Sequence, residues 1–78
     1  MSDERQLTFG ERAVGLSFNP SGDGKVDVLK AQIAGFIDSC NDWREEATDP
    51  EAKRMYSIAI TEAQSAQMWA VKAATWRK

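Results

Sequence analysis

Apolar positions recur at helical spacing along most of the chain and mark out three helices. The clearest stripe is Val26, Leu29, Ile33, Phe36, Ile37, Cys40 and Trp43. At 100° per residue these side chains fill an arc of about 120°, the width of a helix with one buried face. The helix they predict covers residues 25–46. Thr48-Asp49-Pro50-Glu51 then reads as a helix start. Asp49 is a cap, Pro50 suits the first helical position, and acids suit the positive end of the dipole. Thr48 with Glu51 offers a competing capping-box register. The helix that follows is expected over about residues 50–77. A linker of about three residues forces the two long helices into an antiparallel hairpin.

A shorter helix precedes them, over about residues 9–16. Thr8 is a good N-cap, and Glu11 three residues later completes a capping box. Gly10 and Gly15 weaken this helix by about 1 kcal/mol each relative to Ala. Residues 17–24, Ser-Phe-Asn-Pro-Ser-Gly-Asp-Gly, are turn chemistry throughout. Pro20 sets φ, Gly22 and Gly24 allow positive φ, and Phe18 is an apolar anchor within the turn. The chain is therefore expected to be one all-α domain over residues 1–78: a short N-terminal helix, a glycine-rich loop and a long helical hairpin.

The third helix carries more apolar surface than a hairpin can hide. Ala59, Ala63, Ala66, Ala70 and Ala73 are spaced 4, 3, 4, 3, a heptad seam of small residues. Beside the seam lie Ile58, Trp69 and Trp76, and then Tyr56, Ile60, Val71 and Ala74. Together they span an arc of about 220°. One partner helix does not bury that much, so a compact homo-oligomer is expected. The alternative is that the short first helix covers the excess with Phe9, Val14 and Leu16.

Composition sharpens this expectation. In 78 residues there is one cysteine, Cys40, and no histidine, so neither an intrachain disulfide nor a zinc-type spacing stabilises the fold. A single core of this size supplies only about 3–5 kcal/mol, which again favours self-association. No apolar run approaches a membrane span, and Met1–Arg5 leads into no apolar leader region. A lone thiol suits a reducing cytoplasm. The net charge of −2 argues against a nucleic-acid polymer as partner. The charge is uneven: residues 1–47 hold nine acids and five bases, residues 48–78 three acids and five bases.

Catalysis finds little footing. General acid–base work at neutral pH usually uses histidine or a tuned carboxylate. Asp38 and Asp42 sit at i, i+4, but such a pair reads as a solvated face. Cys40 lies in the apolar stripe and reads as core. Binding is better served. The turn Asn19, Pro20, Ser21, Gly22, Asp23, Gly24 runs into Lys25 at a helix start, where backbone N–H groups and the dipole favour an anion. Lys25 is unfavourable there for the helix itself, and a bound anion would reverse that sign. The alternative is that Asp23 caps the helix and Lys25 merely neutralises it. Phe9 and Arg12, at i, i+3, could stack a nucleobase and pair a phosphate, unless Phe9 is simply core.

Two long strings carry a family resemblance. One is Leu7-Thr8-Phe9-Gly10-Glu11-Arg12-Ala13-Val14-Gly15-Leu16-Ser17-Phe18-Asn19-Pro20-Ser21-Gly22. The other is Ser57-Ile58-Ala59-Ile60-Thr61-Glu62 with Ala66-Gln67-Met68-Trp69-Ala70-Val71-Lys72-Ala73. Both resemble the hairpin domain shared by the phage anti-CBASS protein two family and the Thoeris anti-defence proteins, over about residues 6–76. Neither string contains a catalytic signature.

The resemblance implies a sponge. CBASS is a bacterial defence in which a cyclic oligonucleotide signal switches on a killing effector. A phage protein of this family sequesters the signal in the host cytoplasm without cutting it. The resemblance further implies a hexamer with cyclic dinucleotides such as cyclic GMP–AMP held between protomers, and cyclic trinucleotides in a separate pocket. It gives Phe9 the role of stacking on a base and Lys25 that of meeting phosphate. Phe9 lacks a tyrosine hydroxyl, which removes one hydrogen bond and keeps the stacking. The backbone around Gly22–Lys25 and a late arginine, Arg77, are the places for the trinucleotide. No cofactor is implied. Other expectations from different classes are a phage structural or assembly protein that binds no small molecule, an enzyme that degrades the signal, and a protein-binding adaptor.

Overall fold

The computed structural model describes residues 6–76 and contains three helices, with no strand among the described residues. They are α1 (Phe9–Val14), α2 (Gly24–Glu46) and α3 (Pro50–Ala74). The all-α hairpin architecture is as expected. Its helix ends differ from the expectation by more than one residue at two places, each for a local reason.

α1 stops at Val14, two residues early. Gly15 adopts φ 64°, ψ 55°, and its N–H bonds to the Arg12 carbonyl while that of Leu16 reaches back to Glu11. This is a Schellman stop, so Gly15 terminates the helix rather than weakening its interior. The other end follows the sequence, with Thr8 and Glu11 bonding reciprocally at 3.0 Å. α3 ends at Ala74, where the Thr75 hydroxyl donates to the Val71 carbonyl at 2.8 Å. Asp49, not Thr48, caps α3, accepting from the Glu51 N–H at 2.9 Å. Glu51 and Arg54 pair on its first turn, which holds the Glu51 carboxyl below and the Arg54 guanidinium above their ordinary ranges. Both side chains are more than half exposed, so the pair adds little to stability. The Lys53 ammonium meets the Arg44 carbonyl at 2.9 Å and closes the end of α2.

A helix of six residues does not persist alone in water. α1 is held by α2 at both ends. At its start, the Gly10 N–H donates to Asp38 Oδ1 at 2.7 Å. At its end, Lys30 Nζ donates to the carbonyls of Gly15, at 2.9 Å, and Phe18. An acid thus faces the positive end of α1 and a base its negative end. This order makes α1 run antiparallel to α2. Asp38 is therefore a docking residue, not part of a solvated pair. Gly10 is equally necessary: a Cβ there would lie 2.2 Å from the Ala34 carbonyl oxygen. Gln64 of α3 adds a bond to the Ala13 carbonyl at 3.2 Å.

The core is small. It consists of Val14, Ala34, Ile37, Cys40, Ile60 and Ala63, with Val26 buried nearby. α3 faces it through Ile60, Ala63 and Gln67. This stripe is rotated from the alanine seam: Ala63 is buried, but Ala66 and Ala73 are exposed. On α2, Val26, Ile37 and Cys40 are buried as expected, whereas Phe36 and Trp43 stay 53% and 51% exposed. α1 does not cover the excess on α3, because Ile58 and Trp69 remain 44% and 72% exposed. The Cα envelope is 12 Å deep in its thinnest direction. Two stacked helix layers would need about 13 Å or more, from an 8–10 Å axis separation plus the backbone diameter. The described residues form a slab one helix thick, and no second layer among them covers either face.

Candidate ligand site

The loop before α2 folds on itself. The Asn19 amide donates to the Asp23 carbonyl at 2.9 Å and to Asp27 Oδ1 at 3.0 Å. The Ser21 hydroxyl donates to Asn19 Oδ1 at 2.7 Å and accepts from the Asp23 N–H at 3.1 Å. Gly22 takes φ 69°, the left-handed region that glycine allows without strain. Asp23 caps α2, with Oδ1 accepting from the Lys25 N–H at 2.9 Å. Asp23 is therefore the cap, and the Lys25 ammonium is left to face solvent. Asn19, Ser21 and Asp23 spend their polar atoms on loop geometry, and that geometry fixes where Gly24 and Lys25 stand. The Lys25 side chain itself is exposed.

Two hollows flank this loop. A groove of about 350 Å³ is lined by Gly24, Lys25, Val28, Leu29 and Ala74. A second, of about 180 Å³, lies between the loop at Phe18–Ser21 and α3 at Val71 and Thr75, with Val26 and Lys30 at its floor. The first reaches the volume of small-molecule sites, and its one charged wall is Lys25. Phe18 is no core anchor: it is 70% exposed, with the Lys30 ammonium 5.4 Å from its ring centre.

Phe9 lies elsewhere. It is 38% exposed, and the guanidinium over its ring belongs to Arg44, at 5.7 Å. Arg44 is held there by Ser57 Oγ at 2.9 Å and Asn41 Oδ1 at 2.6 Å. Arg12 instead folds back to the Leu7 carbonyl at 3.0 Å. Sequence reasoning missed Arg44, because nothing local links positions 9 and 44. It also missed Lys30, though a signal was present: Val26, Lys30 and Ile37 share one face of α2 at helical spacing, which puts a lysine inside the apolar stripe. Lys30 is only 4% exposed.

The expected site residues thus form two groups. Phe9 and Arg12, joined by the unexpected Arg44, stand toward one end of α2; Asn19, Ser21, Gly22, Gly24 and Lys25 stand at the other. Asn41, which holds the Arg44 guanidinium, is sixteen positions from Lys25 on one helix. At 1.5 Å per residue their Cα atoms are about 24 Å apart. Neither hollow beside the loop is lined by Phe9, Arg12 or Arg44. Arg77 lies outside the described residues.

No curated protein and no solved structure matches the chain. A family model does, the Acb2/Tad1 hairpin domain, over residues 11–75. The matched stretch includes the glycine loop, Lys25 and the whole hairpin, and begins two residues after Phe9. With that match over most of its length, the chain belongs to the Acb2/Tad1 hairpin-domain family of phage anti-defence proteins.

Proposed function

We propose that this protein is a sponge: it binds cyclic oligonucleotide signals in the infected host's cytoplasm and withholds them from CBASS effectors without cleaving them. The observation that carries this reading is membership of the anti-defence hairpin family. The geometry adds a constraint. Phe9 and Lys25 are too far apart to meet one cyclic dinucleotide within a chain, so a pocket using both takes Phe9 from one protomer and Lys25 from another. A one-layer slab with Trp69, Phe36 and Ile58 exposed supports self-association, and a hexamer is the assembly proposed. A pocket walled by two chains excludes water from the phosphates and strengthens each charge contact. Preformed walls also avoid the entropy cost of ordering a loop on binding.

In the dinucleotide pocket, Phe9 stacks on a base and Lys25 meets phosphate, with Arg12 beside them. The self-bonded loop of Asn19, Ser21, Gly22 and Gly24 presents its backbone to cyclic trinucleotides, with Arg77 as a further cation. No cofactor or metal takes part.

Calorimetric titration with cyclic GMP–AMP tests the proposal. Saturable binding is expected, and the nucleotide released on heating should be chemically intact. Lys25→Glu should abolish dinucleotide binding while leaving the assembly mass unchanged. Altered nucleotide would make the protein an enzyme. An absence of binding to cyclic dinucleotides, cyclic trinucleotides and Thoeris-type signals would leave the phage assembly protein as the reading.

A further inference from the structure

Arg44 is tied down in a way that its position alone does not explain. Its guanidinium donates to Asn41 Oδ1 at 2.6 Å, on its own helix, and to Ser57 Oγ at 2.9 Å, on α3. Both acceptors are neutral, although Asp42, Glu45 and Glu46 stand within two residues of it. A place in the last turn of α2 suits any cation. It does not call for a side chain fastened to two helices. Fastening a long side chain removes rotamer freedom, so a hold this specific needs a use.

What the hold places is the guanidinium over the ring of Phe9, 5.7 Å from its centre. A planar guanidinium stacks on an aromatic face as an ammonium does not. Phe9 is the first residue of α1, and its ring remains partly open to solvent. The bonds that dock α1 on α2 run to backbone atoms of Gly10 and Gly15. They fix the backbone of α1 and leave the direction of the Phe9 ring to what packs against it. Arg12, the nearer cation in sequence, is turned instead to the Leu7 carbonyl.

We infer that Arg44 is a positioning residue for the ligand: it acts through Phe9, holding the ring in the orientation in which a nucleobase stacks on it. The inference rests on the sponge reading and adds a residue to its dinucleotide site. The guanidinium takes one face of the ring and the base takes the other, so cation, ring and base form one stack. A ring already held loses no rotamer freedom when the base arrives. That raises affinity without a new contact to the ligand. Asn41 and Ser57 set the arrangement in the free protein, so the packing of α3 on α2 reaches the base through Arg44 and Phe9 in turn.

Calorimetric titration with cyclic GMP–AMP of the wild type, Phe9→Ala, Arg44→Met and the double variant tests this, with circular dichroism to verify helix content. Phe9→Ala should weaken binding by about tenfold or more. Arg44→Met keeps an apolar stem, loses the planar cation, and should weaken binding by about fivefold. The double variant should bind no more weakly than Phe9→Ala alone, because a residue that acts through the ring has nothing to act on once the ring is gone. A merely structural loss would add to that of Phe9→Ala instead. Ser57→Ala, which leaves the guanidinium with Asn41 alone, carries the same test if Arg44→Met does not fold: weaker binding with Phe9 present, no further loss without it. A folded Arg44→Met or a Phe9→Ala chain that binds as tightly as the wild type overturns the inference, as does an additive loss in the double variant. Wild-type binding with Arg44→Met unchanged refutes the role of Arg44 and keeps the sponge. A wild type that binds no cyclic dinucleotide removes this role altogether, and the sponge reading then turns on cyclic trinucleotides and Thoeris-type signals.

Discussion

Gly10→Ala should destabilise the fold by about 3 kcal/mol, from overpacking and the loss of a charge-assisted bond together. Helix propensity alone predicts the opposite sign, a gain of about 1 kcal/mol. Geometry overrides it. The new Cβ would stand 2.2 Å from the Ala34 carbonyl oxygen and 2.9 Å from Asp38 Oδ1. Backbone cannot yield as a flexible side chain does, so α1 must lift off α2. Lifting it breaks the 2.7 Å bond from Gly10 to Asp38. Val14 then leaves the core. A six-residue helix without its docking surface does not survive, so the N-terminal segment should unfold as a unit. Urea unfolding measures the effect, with both proteins at one fixed concentration so that the proposed association enters both equally. A midpoint equal to or above the wild type would show that α1 does not sit against Ala34 as described.

Lys30→Met should cost about 2 kcal/mol and release the turn at residues 15–24. Two opposing effects decide the size. Removing a buried ammonium relieves a desolvation cost, and methionine fills nearly the same volume. Against this, the Gly15 and Phe18 carbonyls lose a charged donor, and each unsatisfied partly buried carbonyl costs about 1–3 kcal/mol. The Phe18 carbonyl is left without a donor and the Gly15 carbonyl keeps only the Phe18 N–H at 2.9 Å, and together these losses outweigh the relief of one cation that was already paired. The loss also removes the base that faces the negative end of α1. Hydrogen exchange should show amides of residues 15–23 opening first, ahead of α2 and α3. An unchanged urea midpoint with unchanged exchange would mean that desolvation balances both bonds, and that Lys30 does not hold the loop.

These two variants mark where local reading of the chain stops. Gly10 and Lys30 look unremarkable in sequence: a glycine in a short helix and a lysine in a long one. Their importance comes from positions 34, 15 and 18, which lie far away along the chain. The candidate site divides in the same way. The capping of α2 by Asp23 and the turn at Gly22 follow from residue types within a few positions. The pairing of Phe9 with Arg44 does not, because thirty-five positions separate them and only the fold of α1 against α2 brings them together.

The same division runs through the whole protein. Periodicity, a capping box, an Asp-Pro helix start and a linker of three residues (Ala47–Asp49) were enough to place three helices and fold the long pair back on itself. The absence of histidine and the excess of apolar positions turned the reading toward binding and self-association. All of these are local or additive properties, readable one residue or one turn at a time. Tertiary structure decided which stripe of α3 faces the core, that Gly15 ends α1, that Asp38 and Lys30 grip its two ends, and that Phe9 sits beside Arg44, far along α2 from Lys25. Those outcomes depend on how helix surfaces interlock, and the interlocking depends on side-chain shapes from distant positions packed at once.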